Sequence, residues 1–226
     1  MKRVVGACFI LLIWAPCSRS QDMALSQILV EGQDWQLVEK ENESIVPLLG
    51  QAKAPAKVWL PGGRSYAPLP GKPGLIFNNN LEKKTLEVGI KITGLTLWPD
   101  AGTLVAADAD SKYLWAFRID TDGTLSAKEP YYALRTKPGK KSAGTTGLTA
   151  DSAGRIYAAT ELGVQVFDPT GRLCGVISKP AKGQLSYLAF GEEDRGLLFA
   201  VCEGKIYVRK TKANGIAGKD TKVQGK

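Results

Sequence analysis

From Val58 onward the chain alternates short apolar runs with clusters of Gly, Pro and Asp. Ile92 to Trp98 is rich in β-branched and aromatic residues and stops at Pro99-Asp100-Ala101-Gly102. Thr103 to Ala107 follows, then Tyr113 to Ile119, closed by Asp120-Thr121-Asp122-Gly123. Runs of this composition bounded by turn formers read as β-strands, and the region holds no sustained helical period. Lys57 to Pro61, Ser65 to Leu69 and Leu75 to Phe77 are briefer strand candidates in a Pro- and Gly-rich stretch. Only Glu31 to Leu49 admits a helix, on a weak pattern.

The layout then recurs. Gly147 to Asp151, Arg155 to Thr160 and Gly163 to Asp168 form a further set, and Leu185 to Phe190, Leu197 to Val201 and Lys205 to Arg209 form another. Aligning Gly94-Leu95, Gly147-Leu148 and Tyr187-Leu188 gives spacings of 53 and 40 residues. Several short strands per unit at such spacings predict propeller blades, because a blade cannot bury both faces alone and must stack on neighbours. With a fourth unit over residues 57–90, the fold class is all-β, a β-propeller of about four blade units.

The chain begins differently. Lys2 and Arg3 precede an apolar stretch from Val4 to Ala15, too short to span a bilayer, and Pro16 to Ser20 supplies a turn and a small-residue cleavage pattern. Residues 1–20 therefore read as a cleaved signal peptide, which predicts a secreted or periplasmic protein. Residues 21–56 read as an irregular lead-in, 57–212 as the blades and 213–226 as a basic flexible tail. Loss of Lys2, Arg3 and Arg19 takes the basic residues from 30 to 27 against 22 acidic, a net charge of +5 rather than +8. Much of that excess sits in Arg209, Lys210, Lys212, Lys219, Lys222 and Lys226 at the C-terminus and reads as a solvated end, with neither nucleic acid nor membrane as the expected partner.

Composition narrows the chemistry. The chain has no histidine, which removes Ser-His-Asp and Cys-His catalysis and histidine-based zinc sites. Beyond the signal segment only Cys174 and Cys202 remain; export permits a disulfide, two buried thiols fit equally well, and spacing does not choose. Any reaction must run on carboxylates, Lys, Tyr, hydroxyls or an oxygen-bound metal.

The run Ile92-Thr93-Gly94-Leu95-Thr96-Leu97-Trp98-Pro99-Asp100, with Leu104-Val105-Ala106-Ala107-Asp108 after it, resembles the signature of the gluconolactonase family, which includes the senescence marker protein and the luciferin-regenerating enzyme. Gly144 to Asp151, Ile156 to Thr160 and Gly163 to Asp168 resemble its second half, and Leu188 to Gly191 with Ile206 to Arg209 its ending in bacterial exported members. The resemblance runs from about residue 90 to 212 and implies a six-bladed propeller, here shortened. It also implies an axial divalent cation, usually calcium, that polarises a sugar lactone for hydrolysis, so a small sugar lactone or related sugar acid is the expected ligand.

The resemblance places its metal-binding Asn on Thr93 and its catalytic Asp on Thr146. A neutral hydroxyl is a poor substitute for a carboxylate that binds metal and accepts a proton. The expectation is therefore a degenerate copy with no metal at Thr93 and Thr146, calcium or another divalent cation being the cofactor only if the site is retained. Thr93, Asp108, Asp110 and Thr146 are the candidate pocket residues; Asp151 and Asp168 read as turn formers. The alternative function is a non-catalytic ligand- or protein-binding propeller, and missing blades would leave an open edge able to self-associate.

Overall fold

The computed structural model describes residues 25–39, 57–191 and 194–216. The signal-peptide reading of residues 1–20 lies outside that range. Among the described residues no helix is long and apolar enough to cross a membrane.

Four antiparallel four-stranded sheets form a four-bladed β-propeller arrangement. The first strand, β1 (Gln36–Leu37), joins the last sheet rather than the first. Blade one is β2 (Val58–Trp59), β3 (Ser65–Pro68), β4 (Leu75–Asn78) and β5 (Lys83–Leu86). Blade two is β6 (Ile92–Leu97), β7 (Thr103–Asp108), β8 (Tyr113–Ile119) and β9 (Leu125–Ala133). Blade three is β10 (Gly147–Ala150), β11 (Ile156–Thr160), β12 (Gly163–Phe167) and β13 (Leu173–Ile177). Blade four takes β14 (Leu185–Phe190), β15 (Leu197–Cys202) and β16 (Lys205–Lys210), with β1 as its outer strand.

Period-two alternation explains why the central strands read as unbroken apolar runs. On β7, Leu104 and Ala106 pack toward blade one while Val105 and Ala107 pack toward blade three. On β11, Ile156 and Ala158 face blade two, and Tyr157 and Ala159 face blade four. Successive side chains point to opposite faces, and both faces of an internal blade are covered. The outer strands behave oppositely: β5 is exposed along most of its length and the middle of β9 is exposed.

Three hydrophobic clusters join blade one to two, two to three and three to four. Among the described residues no cluster joins blade four to blade one. Instead Val201 and Ile206 bury the far side of blade four against Val38, Tyr187 and Phe199 of the same sheet.

The innermost strands β2, β6, β10 and β14 pack side by side in that order. Glycine permits the approach: a Cβ on Gly94 would lie 3.2 Å from the Leu148 backbone nitrogen, and one on Gly147 3.4 Å from that of Leu188. Blade four carries Tyr187 at the aligned position, so a ring stands where blades two and three present bare backbone. At the junction of blades one and two, Gly123 has φ 85° and a Cβ there would strike the Phe77 ring. Only glycine meets both demands.

The lead-in differs from the helix expected over Glu31 to Leu49. Its described part, to Glu39, holds a turn and β1, whose Gln36 and Leu37 pair with Val208 and Tyr207; residues 40–49 lie outside the described range. Ile28 is fully buried in the blade three–four core, and Lys212 N donates to its carbonyl at 2.7 Å. Residues 213–216, expected as the start of a flexible tail, are packed instead: Ala213 is buried and Gly215 bridges to Asp151; residues 217–226 lie outside the described range. Cys174 and Cys202 are both free thiols packed in that core.

Candidate functional site

Three hydroxyl residues occupy one recurring backbone feature. In blade two Ile92 pairs with Asp108 and Gly94 with Ala107, which leaves Thr93 as the extra residue of a β-bulge. In blade four Leu185 pairs with Cys202 and Tyr187 with Val201, leaving Ser186 in the same place. In blade three Thr146 stands just before β10, and its backbone N–H donates to Ala159 at 3.0 Å. Bulges bend a strand and re-aim a side chain. Thr93, Thr146 and Ser186 thus form a row at the leading ends of three adjacent innermost strands.

The members of the row differ in what they bond. Thr146 Oγ1 donates to the Leu185 carbonyl at 2.6 Å, a contact from blade three to blade four. The Thr93 hydroxyl is buried and has no hydrogen-bonding partner among the described residues. Thr145, only 2 % exposed, has the same property. Ser186 is exposed.

Asp108 is half-buried at the same end of blade two, opposite Ile92. Its carboxylate accepts from the Asp110 backbone N–H at 3.2 Å, while Asp110 is exposed. That is the local turn chemistry of Asp after a strand. The structure thus brings Thr93 and Thr146 onto neighbouring strands, sets Asp108 beside Thr93 and leaves Asp110 in the solvent-facing turn. Thr145 and Ser186 escaped the sequence reading, although both flank the aligned motif positions.

Asp151 is more than a turn former. Its carboxylate is fully buried, accepts from Tyr157 Oη at 2.8 Å and pairs with Arg155. Burial opposes the Arg155 charge, but the Asp151 hydrogen bond and charge overcome it and raise its pKa. Burial, with Asp151 adding to it, pushes Tyr157 far above the usual phenol range. Burial raises Cys174 likewise, so the arrangement favours an inert thiol and a structural ion pair. Asp168 follows a different balance: burial would raise it, yet hydrogen bonds from the Thr170 hydroxyl, at 2.7 Å, and the Thr170 and Arg172 N–H groups hold it below the ordinary value.

Aromatic side chains of these blades serve packing. Tyr157 is fully buried, and Trp98 Nε1 donates to Tyr132 Oη at 3.0 Å. Trp115 packs partly buried in the blade one–two core with Lys128 Nζ 4.4 Å from its ring centroid.

Residues 70–202 match the family model described as the SMP-30/gluconolactonase/LRE-like region, more than half of the chain. The chain belongs to this family. It is 28 % identical over 129 residues to a gluconolactonase from Zymomonas mobilis, a match covering 55 % of this chain and 36 % of that protein. A gluconolactonase structure from Xanthomonas campestris superposes with a TM-score of 0.58 at 20 % identity, covering 69 % of this chain and 56 % of its own. The calcium-binding protein regucalcin from Agrobacterium tumefaciens gives 0.59 at 18 % identity, with 72 % and 61 % covered. A luciferin-regenerating enzyme gives 0.59 at 19 % identity, with 72 % and 62 %. At these identities the structures establish the shared fold, and this chain spans about three fifths of the solved chains.

The family resemblance implies a divalent cation, and the described residues of the hydroxyl row do not fit one. Calcium takes roughly 6–8 oxygen donors, carboxylates prominent among them. The row offers neutral hydroxyls, and the Thr146 proton is committed to the Leu185 carbonyl. Among the described residues no three His, Cys, Asp or Glu side chains gather to hold a metal.

Proposed function

We propose that this protein is an exported propeller of the SMP-30/gluconolactonase/LRE-like family that has lost metal-dependent lactone hydrolysis and acts as a non-catalytic binding module. The observation that carries this reading is the hydroxyl row. Threonine stands at both positions where the resemblance expects a metal-binding Asn and a catalytic Asp, and Thr146 ties one blade to the next. A threonine hydroxyl neither accepts a proton from water near neutral pH nor balances cation charge.

Binding remains within its chemistry. The buried Thr93 and Thr145 hydroxyls have no partner among the described residues, and a polar ligand or water gives such groups hydrogen bonds they otherwise forgo. A sugar lactone or sugar acid carries suitable hydroxyls and carbonyls. The test measures hydrolysis of glucono-δ-lactone with and without calcium, beside a calorimetric calcium titration. The expected result is no calcium-dependent turnover and no binding at micromolar calcium. Calcium-dependent hydrolysis above the spontaneous rate would overturn the reading.

A further inference from the structure

A second polar feature lies apart from the hydroxyl row. The loop before β10, the β11–β12 turn and the loop before β14 border an open surface cavity of about 420 Å³. Lys137, Lys140, Lys179 and Lys182 line it, with Glu161 and Gly183, and none of Thr93, Thr146 and Ser186 does. Its volume falls within the range of about 300–1,000 Å³ typical of small-molecule sites.

The lysines are not equivalent. Lys137 pairs with Glu161 at 3.1 Å. Lys179 Nζ donates to the carbonyls of Lys182 at 3.1 Å and Gly183 at 2.8 Å, which ties the loop that carries them to the Lys179 side chain. Lys140 and Lys182 have no ion pair or hydrogen bond from their side chains among the described residues. Four ammonium groups stand against the Glu161 carboxylate, and the Glu203 carboxylate beside Gly183 brings the local positive excess from three to two.

That excess has a structural origin. Gly144 has φ 60° and lies against Glu161, so a Cβ there would strike that side chain; Glu161 N also donates to the Ala143 carbonyl. Gly183 in turn lies against Glu203. Bare backbone thus lets both lysine-bearing loops close onto the turns beneath them. A solvated lysine loop needs no such approach.

We propose that this cavity binds a small organic dianion, a phosphate monoester or a sugar dicarboxylate, through Lys140 and Lys182, with Lys179 fixing the loop. A phosphate monoester carries about −1.5 to −2 charges at neutral pH, and flexible ammonium groups bind such anions as point charges. A monoanion leaves half of the excess unbalanced, and a neutral sugar balances none. Binding here does not depend on the hydroxyl row, so it stands whether or not a lactone is hydrolysed there.

The test follows backbone amide shifts of Gly183 and Gln184 in the full chain while glucose 6-phosphate, glucarate, gluconate and glucose are titrated at low salt. Both amides are expected to respond to the two dianions, at least tenfold more weakly to gluconate, and not to glucose. Tighter binding of either dianion supports the proposal and names its source. Raising salt from about 20 to 200 mM is expected to weaken binding several-fold, because exposed charges are screened. The double variant Lys140→Ala/Lys182→Ala is expected to lose at least tenfold in affinity. Glu161→Gln, which frees Lys137, is expected to gain several-fold. These opposite shifts separate ligand recognition from a folding defect. Silent amides, equal response to glucose, or indifference to both variants overturns the proposal.

Discussion

Thr146 Oγ1 donates to the Leu185 carbonyl at 2.6 Å, so the side chain aligned with a catalytic carboxylate fastens blade three to blade four. Thr146→Val keeps the shape and removes the donor. It is expected to lower unfolding stability by about 1–3 kcal/mol, because the carbonyl of the fully buried Leu185 loses a partner. Urea unfolding measures this. An unchanged midpoint would mean that the hydroxyl is free for other work.

The paired glycines predict an asymmetry. A Cβ on Gly94 meets the Leu148 backbone nitrogen and side chain at 3.2 Å and the Gly147 carbonyl carbon at 3.3 Å, whereas one on Gly147 finds ordinary contact from 3.4 Å outward. Gly94→Ala is expected to destabilise by about 1–3 kcal/mol through overpacking between innermost strands. Gly147→Ala is expected to cost clearly less. Equal costs for the two variants, compared by thermal melts, would contradict the tight β6–β10 approach.

The Asp151–Arg155 pair predicts non-additivity. Arg155→Met strands a fully buried carboxylate beside Tyr157 and is expected to cost about 3–5 kcal/mol. Adding Asp151→Asn removes the stranded charge, so the double variant is expected to be more stable than the sum of the single losses implies. A double-mutant cycle by denaturant unfolding gives the coupling, and strict additivity would exclude the pair as a unit.

Acid stability should report on Asp168. Its native pKa is depressed by Thr170 and neighbouring N–H groups working against burial. A depressed carboxylate contributes stability that is present above its unfolded value, about 3.9, and is lost as pH falls through the lower native value. Thr170→Val removes the 2.7 Å hydroxyl contact. The stability gap between wild type and variant is expected to be open at pH 7 and to shrink below about pH 4. A gap independent of pH, or an Asp168 carboxyl that titrates at the ordinary value by NMR, would contradict the assignment.

Legibility in the sequence tracked burial. The runs Leu104 to Ala107 and Ile156 to Thr160 announced themselves because both faces of each strand are covered. Lys83–Leu86 and the middle of Leu125–Ala133 did not, because outer strands are largely solvent-facing and carry no apolar signal. Thr93 and Thr146 were found through the aligned motif. Thr145 and Ser186 were not, since nothing local shows that one hydroxyl is buried without a partner or that the other shares a bulge. Lys137 to Lys141 are exposed, and nothing local in the sequence shows that Lys137 and Lys140 share a surface pocket with Lys179 and Lys182.

The sequence by itself determined what is periodic and local: β-strand alternation, turn placement, the four units and the threonines in place of the expected ligands. Tertiary structure decided what depends on distant segments meeting. The pairing of Gln36 with Val208 adds a strand from the lead-in to the last blade, and Gly215 docks on Asp151 of blade three. The same meeting of distant loops set Lys140 and Lys182 around one cavity. Side-chain periodicity is carried by neighbours in the chain, whereas strand pairing and cavity charge arise between residues whose only relation is the fold.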